Sequence, residues 1–315
     1  MAAAAEFGCS HLCAGSRATA LLGPLAGTRS SRAAGGQRRA ARGAKHDRRR
    51  RRLRRPPHAP HSFLAHVSGL GLAGLGLRRM LRASARPLLQ SFRVTPAKVA
   101  PQFSRGRWTP VPWCSDGFAV RSEEEPSLGH SWENLTGQIY VQEATSMLPV
   151  QALQAAWLAE SRTSGSDGSD RPLQVLDLCA APGSKTTQLA SWLDGQGGLL
   201  VANEPKDGRW RQLRASLLRS GVVNCVLTRI DGREVGALAP SAFDMVLVDV
   251  PCSCEGNVRK DAGVLDAYSR GDMQKLVELQ QGLLLSGWQA LRPGGVLVYS
   301  TCTLNGQENE EQCQR

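Results

Sequence analysis

Gln174-Val-Leu-Asp-Leu-Cys-Ala-Ala-Pro-Gly-Ser-Lys185 passes from a short apolar run into a turn of small residues. The run 174–178 suits a buried parallel strand, which needs no polar face because helices cover both sides. The turn 179–184 follows, and a helix opens near Lys185. The same alternation then repeats. Strands are expected at 198–203, 224–228, 243–248 and 296–300, and helices at 206–220 and 272–291. The first of these helices places Trp210, Leu213, Leu217 and Leu218 on one face. The second carries Leu276, Leu279, Leu283, Leu284 and Trp288 at helical spacing, and Pro293-Gly-Gly295 turns the chain into the last strand. Repeated strand–helix units predict an α/β fold with a doubly wound, mostly parallel Rossmann-like sheet. Its ligand belongs at the strand carboxyl ends.

The chain of 315 residues has room for more than this domain. Three segments are expected: a disordered basic leader at 1–83, a small N-terminal α+β domain with its linker at 84–172, and the catalytic domain at 173–315. In the middle segment Arg107-Trp-Thr-Pro-Val-Pro-Trp113 predicts an extended or turn stretch. Residues 141–157 suit a helix carrying Ala144, Met147 and Leu148, which Pro149 interrupts. The composition of 161–171 (SRTSGSDGSDR) is that of a flexible linker.

Charge is divided unevenly. The net +12 comes from residues 1–100, which carry 20 Lys and Arg against Glu6 and Asp47, while residues 101–315 are net −6. The basic pI therefore says nothing about RNA binding by the folded part. The leader is rich in Ala, Arg and Ser, and its run from Arg48 to Arg55 is broken only by Leu53. That composition predicts an organellar transit peptide, plastid or mitochondrial. A nuclear or nucleolar signal, a disordered RNA-binding arm and an over-extended gene model are the competing readings. The apolar stretch 62–77 holds four glycines and is too short to span a bilayer, so no membrane partner is expected. Nine cysteines form no regular framework, which points to a reducing compartment.

The strand ends carry the chemistry. Cys179-Ala-Ala-Pro-Gly-Ser-Lys185 has one glycine rather than the three of a dinucleotide fingerprint, which disfavours a nicotinamide enzyme. Its small residues, Cys179, Ala180, Ala181, Pro182, Gly183 and Ser184, would let a cofactor approach the backbone, with its carboxylate at the helix N-terminus. Lys185 would pair with that carboxylate or point into the substrate cleft. An ordinary strand-to-helix turn is the plain alternative. Glu204 ends the second strand, where an acid commonly accepts from two ribose hydroxyls. Asp231 follows the third strand and suits an adenine amino group, although Asp-Gly is also a common turn.

Asp249-Val-Pro-Cys252 follows the fourth strand and Tyr299-Ser-Thr-Cys302-Thr-Leu-Asn305 the fifth. Two cysteines at neighbouring strand ends suit covalent pyrimidine methylation, in which a thiolate adds to C6 and a second thiol helps release the adduct. Asp249 suits the base edge near N3. An inert buried thiol is the alternative for Cys252. Cys252-Ser-Cys254 also permits zinc, but no second Cys/His pair lies at matching spacing, so no metal is expected. Arg259 and Lys260, in Val258-Arg-Lys-Asp261, offer cations for RNA phosphates, or an ordinary solvated loop.

Together these motifs resemble the Sun-type RNA (cytosine-5) methyltransferases, and within them the bacterial 16S rRNA methyltransferase F branch. The resemblance extends to Thr136-Gly-Gln-Ile-Tyr-Val-Gln-Glu-Ala-Thr-Ser-Met-Leu-Pro149, Gly256-Asn-Val-Arg-Lys-Asp261 and Leu291-Arg-Pro-Gly-Gly295, from about residue 88 onward. It implies a class I methyltransferase sheet, S-adenosyl-methionine as cofactor and a monomer acting on single-stranded or looped RNA, rRNA ahead of tRNA. It implies Cys302 as nucleophile, Cys252 as second thiol, and Asp249 at the base and cofactor. Residues 179–185, Glu204 and Asp231 become cofactor contacts.

Three departures accompany it. Cys254 stands where the family usually has Gly, straining that loop and bringing a third thiol close enough to compete by oxidation. Phe92-Arg-Val-Thr95 lacks the Asn of the family's early segment, which weakens an RNA-facing part. The sheet is expected to lack its last two strands and any carboxy-terminal RNA-binding appendage. A catalytically impaired RNA-binding or assembly factor is therefore the rival reading, ahead of a DNA or small-molecule methyltransferase.

Overall fold

The computed structural model describes residues 75–84, 88–98, 108–121, 127–163, 171–261, 264 and 270–314. The expected leader before residue 75 and most of the expected linker lie outside these. Helix α1, Leu75–Ser84, is the first element described.

A four-stranded antiparallel sheet comes next: β1 (Ser91–Val94), β2 (Thr109–Val111), β3 (Cys114–Ala119) and β4 (Ile139–Val141), in the order β2-β3-β1-β4. A short helix α2, Trp132–Leu135, precedes β4, with Ser131 accepting from the Asn134 amide at its N-terminus. Phe92 meets Trp108 edge-to-face at 5.2 Å and stacks on Phe118 at 5.9 Å, around which Val94, Val120, Leu128 and Ile139 close the core.

Helix α3 is Leu148–Thr163, so Pro149 opens it rather than interrupting it, and Val141 is strand. The first helical turn has no intrahelical use for an N–H, so proline is tolerated there.

The second sheet is parallel and five-stranded: β5 (Gln174–Asp177), β6 (Leu199–Asn203), β7 (Cys225–Thr228), β8 (Phe243–Asp249) and β9 (Leu291–Ser300), in the order β7-β6-β5-β8-β9. Helices α4 (Ser184–Asp194), α5 (Asp207–Ser220), α6 (Val235–Leu238) and α7 (Arg270–Ala290) intervene, and α8 (Glu310–Gln314) follows. Alternation along β8 shows the winding. Met245 and Leu247 pack with Val150 and Leu153 of α3 and Leu189 and Leu193 of α4, whereas Val246 and Val248 pack with Val235 of α6 and Leu283 and Ala290 of α7. The fold is therefore the expected doubly wound α/β sheet beside a smaller antiparallel one. Between Phe243–Leu291 and Met245–Val296 the β8–β9 register shifts, leaving Arg292, Pro293, Gly294 and Gly295 as the expected turn within the ladder.

Two helix faces differ from expectation. In α5 Leu213 and Leu217 are buried, but Leu218 is 64% exposed. In α7 the buried stripe is Val277, Gln280, Leu283, Ser286 and Ala290, and Trp288 is 66% exposed. Gln280 and Ser286 face inward because they bond across the fold, to Pro251 and Gly232 carbonyls respectively.

Arg93 joins the first sheet to α4. It is buried in β1 and donates to Gln142 Oε1 (2.7 Å), Thr187 Oγ1 (2.7 Å) and the Ser184 carbonyl (3.0 Å). The segment Phe92–Thr95 thus ties the antiparallel sheet to α4. Burial lowers the Arg93 pKa to about 10, which leaves the guanidinium charged at neutral pH.

Candidate active site

The carboxyl ends of β5, β6, β8 and β9 lie side by side because the sheet is parallel. The β5 turn is packed before it is anything else. Ala180 and Ala181 join Ala202, Leu213 and Leu217 in one cluster. Gly183 has φ +107°, and a Cβ there would sit 3.0 Å from Ser216 Cβ and 3.2 Å from Leu213 Cδ1. Glycine is therefore required by the approach of α5, not only by a cofactor. Pro182 is exposed and follows a cis peptide bond, and Ser184 begins α4. Burial pushes the Cys179 thiol far above its ordinary range, which removes it as a nucleophile.

At the β6 end, Glu204 is buried. One carboxylate oxygen accepts from the Lys206 amide at 2.9 Å, and the other lies 3.5 Å from Arg209 Nε. Arg209 also donates to the Ala181 carbonyl at 2.7 Å, coupling this strand end to the β5 turn. Asp231, after β7, is paired with its near neighbour in sequence. It is chelated by Arg233, down to 2.5 Å, and caps the Arg233 amide. The hydrogen bonds from Arg233 hold its carboxyl below the ordinary value.

Asp249, last residue of β8, is held from two sides. Lys185 Nζ donates to Oδ2 at 2.7 Å and Ser300 Oγ to Oδ1 at 2.6 Å. Beyond it the loops after β8 and β9 bring together three sulfurs. Cys252 and Cys302 stand 3.2 Å apart, Cys302 and Cys254 3.5 Å, and Cys252 and Cys254 4.0 Å. Cys302 is the exposed member, and Asn257 Nδ2 donates to its sulfur at 3.1 Å.

These thiols titrate as a group. Hydrogen bonding to Cys254 and Cys302 pushes Cys252 far up, so it keeps its proton at rest. The bonds from Cys252 and Cys302 hold Cys254 well below the ordinary thiol range. Cys254 also sits at φ +64°, the left-handed region that costs a non-glycine residue about 1 kcal/mol.

Sequence motifs did not reveal what holds these loops. Glu308 is fully buried beside them. It accepts from the Ser253 amide (3.0 Å), Ser253 Oγ (2.5 Å) and Gln280 Nε2 (2.8 Å). Glu255, also buried, accepts from Thr303 Oγ1 (2.6 Å) and the Leu304 amide (3.0 Å). Each carboxylate thus spans both thiol loops. Gly256 donates to the Cys302 carbonyl at 2.9 Å, where a Cβ would come within 2.7 Å of that oxygen. No motif distinguishes these acids from surface ones.

Asp177 was likewise unread. It is 1% exposed at the end of β5 and accepts from Thr186 Oγ1 at 2.7 Å, but its Oδ1 has no hydrogen-bond partner. Burial raises its pKa to about 7. Of the expected phosphate contacts, Lys260 is paired with Glu143, which ties its loop to the segment after β4, and Arg259 is half-buried.

An unpartnered buried oxygen on Asp177, the Glu204 carboxylate and the Lys185–Asp249 pair ring one edge of a parallel sheet. That donor set fits a cationic nucleoside cofactor. Fold and site together define a methyltransferase of the doubly wound class.

Two family models match in succession. "N-terminal domain of 16S rRNA methyltransferase RsmF" covers residues 60–144 and "16S rRNA methyltransferase RsmB/F" covers residues 169–315. The chain belongs to the RsmB/F methyltransferase family. Its cofactor is S-adenosyl-methionine.

Among relatives, "Ribosomal RNA small subunit methyltransferase F" of Serratia proteamaculans is 43% identical over 260 residues, covering 80% of this chain and 52% of that one. The protein of the same name from Shewanella oneidensis is 44% identical over 263 residues, covering 80% and 52%. This chain spans about half the length of those relatives.

Two solved structures resemble it. "Methyltransferase Homolog Protein from Pyrococcus Horikoshii" is 32% identical with a TM-score of 0.61, covering 81% of each chain. "NSun6 from Pyrococcus horikoshii with SFG" has a TM-score of 0.62 at 18% identity, covering 79% and 85%.

These findings correct the expected organellar address. The relatives are proteins of bacteria, which contain neither plastid nor mitochondrion nor nucleus. Arg- and Ala-rich composition is shared by many basic tails, so by itself it carries no address. Among the described residues, no helix is long and apolar enough to cross a membrane.

Proposed function

We propose that this chain methylates carbon 5 of cytosine in RNA, ribosomal RNA foremost, through a covalent cysteine adduct. The 3.2 Å apposition of Cys252 and Cys302 beside Asp249 carries the reading.

The Cys302 sulfur, as thiolate, forms a bond to C6, and the electron pair of the C5–C6 double bond moves to C5 and toward N3. Asp249, steadied by Lys185 and Ser300, engages the base edge at N3. When bound, S-adenosyl-methionine supplies an electrophilic methyl group. Cys252, its own proton passed to solvent, takes the proton from C5 as a thiolate. The C5–C6 double bond re-forms and Cys302 leaves as thiolate. A base paired and stacked in a helix cannot offer its C6 face to a thiolate, so the target base must be extruded or already unpaired.

The test is methyl transfer from labelled cofactor to RNA, read as 5-methylcytosine. Cys302→Ala is expected to abolish transfer and any covalent complex. Cys252→Ala is expected to trap protein on RNA as a species that survives denaturing electrophoresis. Methylation by the Cys302→Ala variant would overturn the reading, and label entering DNA of the same sequence would overturn the RNA assignment.

A further inference from the structure

Two thiols suffice for the chemistry above, yet three meet here. Cys252, Cys254 and Cys302 place their sulfurs within 4.8 Å of one another, on two loops that the sheet brings together. The circle through those sulfurs has a radius of about 2.1 Å, against a zinc–sulfur bond of about 2.3 Å, so an ion bonded to all three would rise about 1 Å from their plane. That is the shape of three corners of a tetrahedron, with the fourth corner open. Two N–H groups already point at the sulfurs, as thiolate ligands require: Asn257 Nδ2 to Cys302 at 3.1 Å, and the Cys302 amide to Cys252 at 3.3 Å.

We infer that Cys252, Cys254 and Cys302 form a three-thiolate site for a thiophilic d10 cation of the Zn2+ class, and that its occupancy switches the active centre off. Binding forms three sulfur–metal bonds and releases to solvent the protons the three thiols carried. Soft sulfur ligands select zinc or copper(I) over magnesium or calcium. The lone pairs that Cys302 would offer to C6 are then engaged by the ion. The binding site stands on the sulfur geometry alone, while its effect on catalysis rests on the function proposed above.

Cadmium is the probe, because each sulfur–cadmium bond adds ultraviolet charge-transfer absorption. Titrating the reduced full chain with Cd2+, without RNA, is expected to give one ion per chain with the absorption of three thiolates. Zn2+ should displace it. Cys254→Gly should lower the affinity at least 100-fold, and it suits the positive φ at that position. Cys313→Ser, at an exposed thiol elsewhere, should change nothing. Equal affinity in the parent and Cys254→Gly, or absorption from fewer than three thiolates, would overturn the site. Zn2+ should also stop methyl transfer by the parent at concentrations that spare Cys254→Gly, and a chelator should restore it. Three-thiolate binding that leaves methyl transfer intact would establish the site while overturning Cys302 as nucleophile.

Discussion

The carboxyl edge of the parallel sheet is built in two different ways. On the β5–β6 side, small buried residues close against α5, and most partners of each group lie within one strand–helix unit of it. On the β8–β9 side, two loops about fifty residues apart are sewn together by buried carboxylates. The first half resists change through shape, the second through hydrogen bonds to buried carboxylates. Packing defects there should spread into the cofactor seat, whereas polar defects here should disperse the thiols.

The largest effect is expected at Glu308. Glu308→Ala leaves the buried Ser253 amide without its acceptor and Gln280 with the Pro251 carbonyl but without its carboxylate, costing about 3 kcal/mol. Methyl transfer should fall at least 100-fold while cofactor affinity, measured calorimetrically, changes less than about 3-fold. Glu308→Gln should recover part of the loss. Equal damage to cofactor affinity would erase the distinction between the halves.

Glycines sharpen it next. Gly183→Ala meets both a positive φ and the α5 side chains, and Gly256→Ala meets the Cys302 carbonyl; each should cost about 2 kcal/mol in thermal unfolding. The first is expected to weaken cofactor binding and the second to slow methyl transfer. A reversed pattern would break the comparison.

Glu204→Ala is a smaller test. Losing its buried acceptor should raise the cofactor dissociation constant about 10-fold, or about 1.4 kcal/mol, while the Cys252→Ala background still forms an adduct with RNA at saturating cofactor.

Asp177 gives the smallest effect and a sign. Its carboxyl rises from 3.8 to about 7 on folding, so between those values the folded chain holds a proton that the unfolded chain releases. Stability from this group is greatest below about pH 4 and falls as pH rises toward 7. Asp177→Asn should remove that fall, seen in urea unfolding at pH 5 and pH 8. A parent whose stability rises through this window, with no change on substitution, would exclude the buried proton.

Legibility followed the same division. The alternation from Gln174 onward gave away every strand of the parallel sheet, since buried strands must be apolar and turns must be small or polar. That Asp249, Cys252 and Cys302 would lie together was legible because all three follow neighbouring strands of a parallel sheet. Trp288 and Leu218 misled because helical spacing marks a stripe without saying whether a neighbour covers it.

Local order along the chain determined the doubly wound sheet, its methyltransferase motifs and the placing of Cys252 and Cys302 after neighbouring strands, for these depend on period and spacing within single units. Tertiary structure alone decided that Glu308 and Glu255 hold the thiol loops, that Asp177 keeps an unpartnered oxygen, and that Cys254 completes a triangle with cysteines two and forty-eight positions away. Burial and cross-chain distance fix those roles, and neither is written in any one stretch of residues.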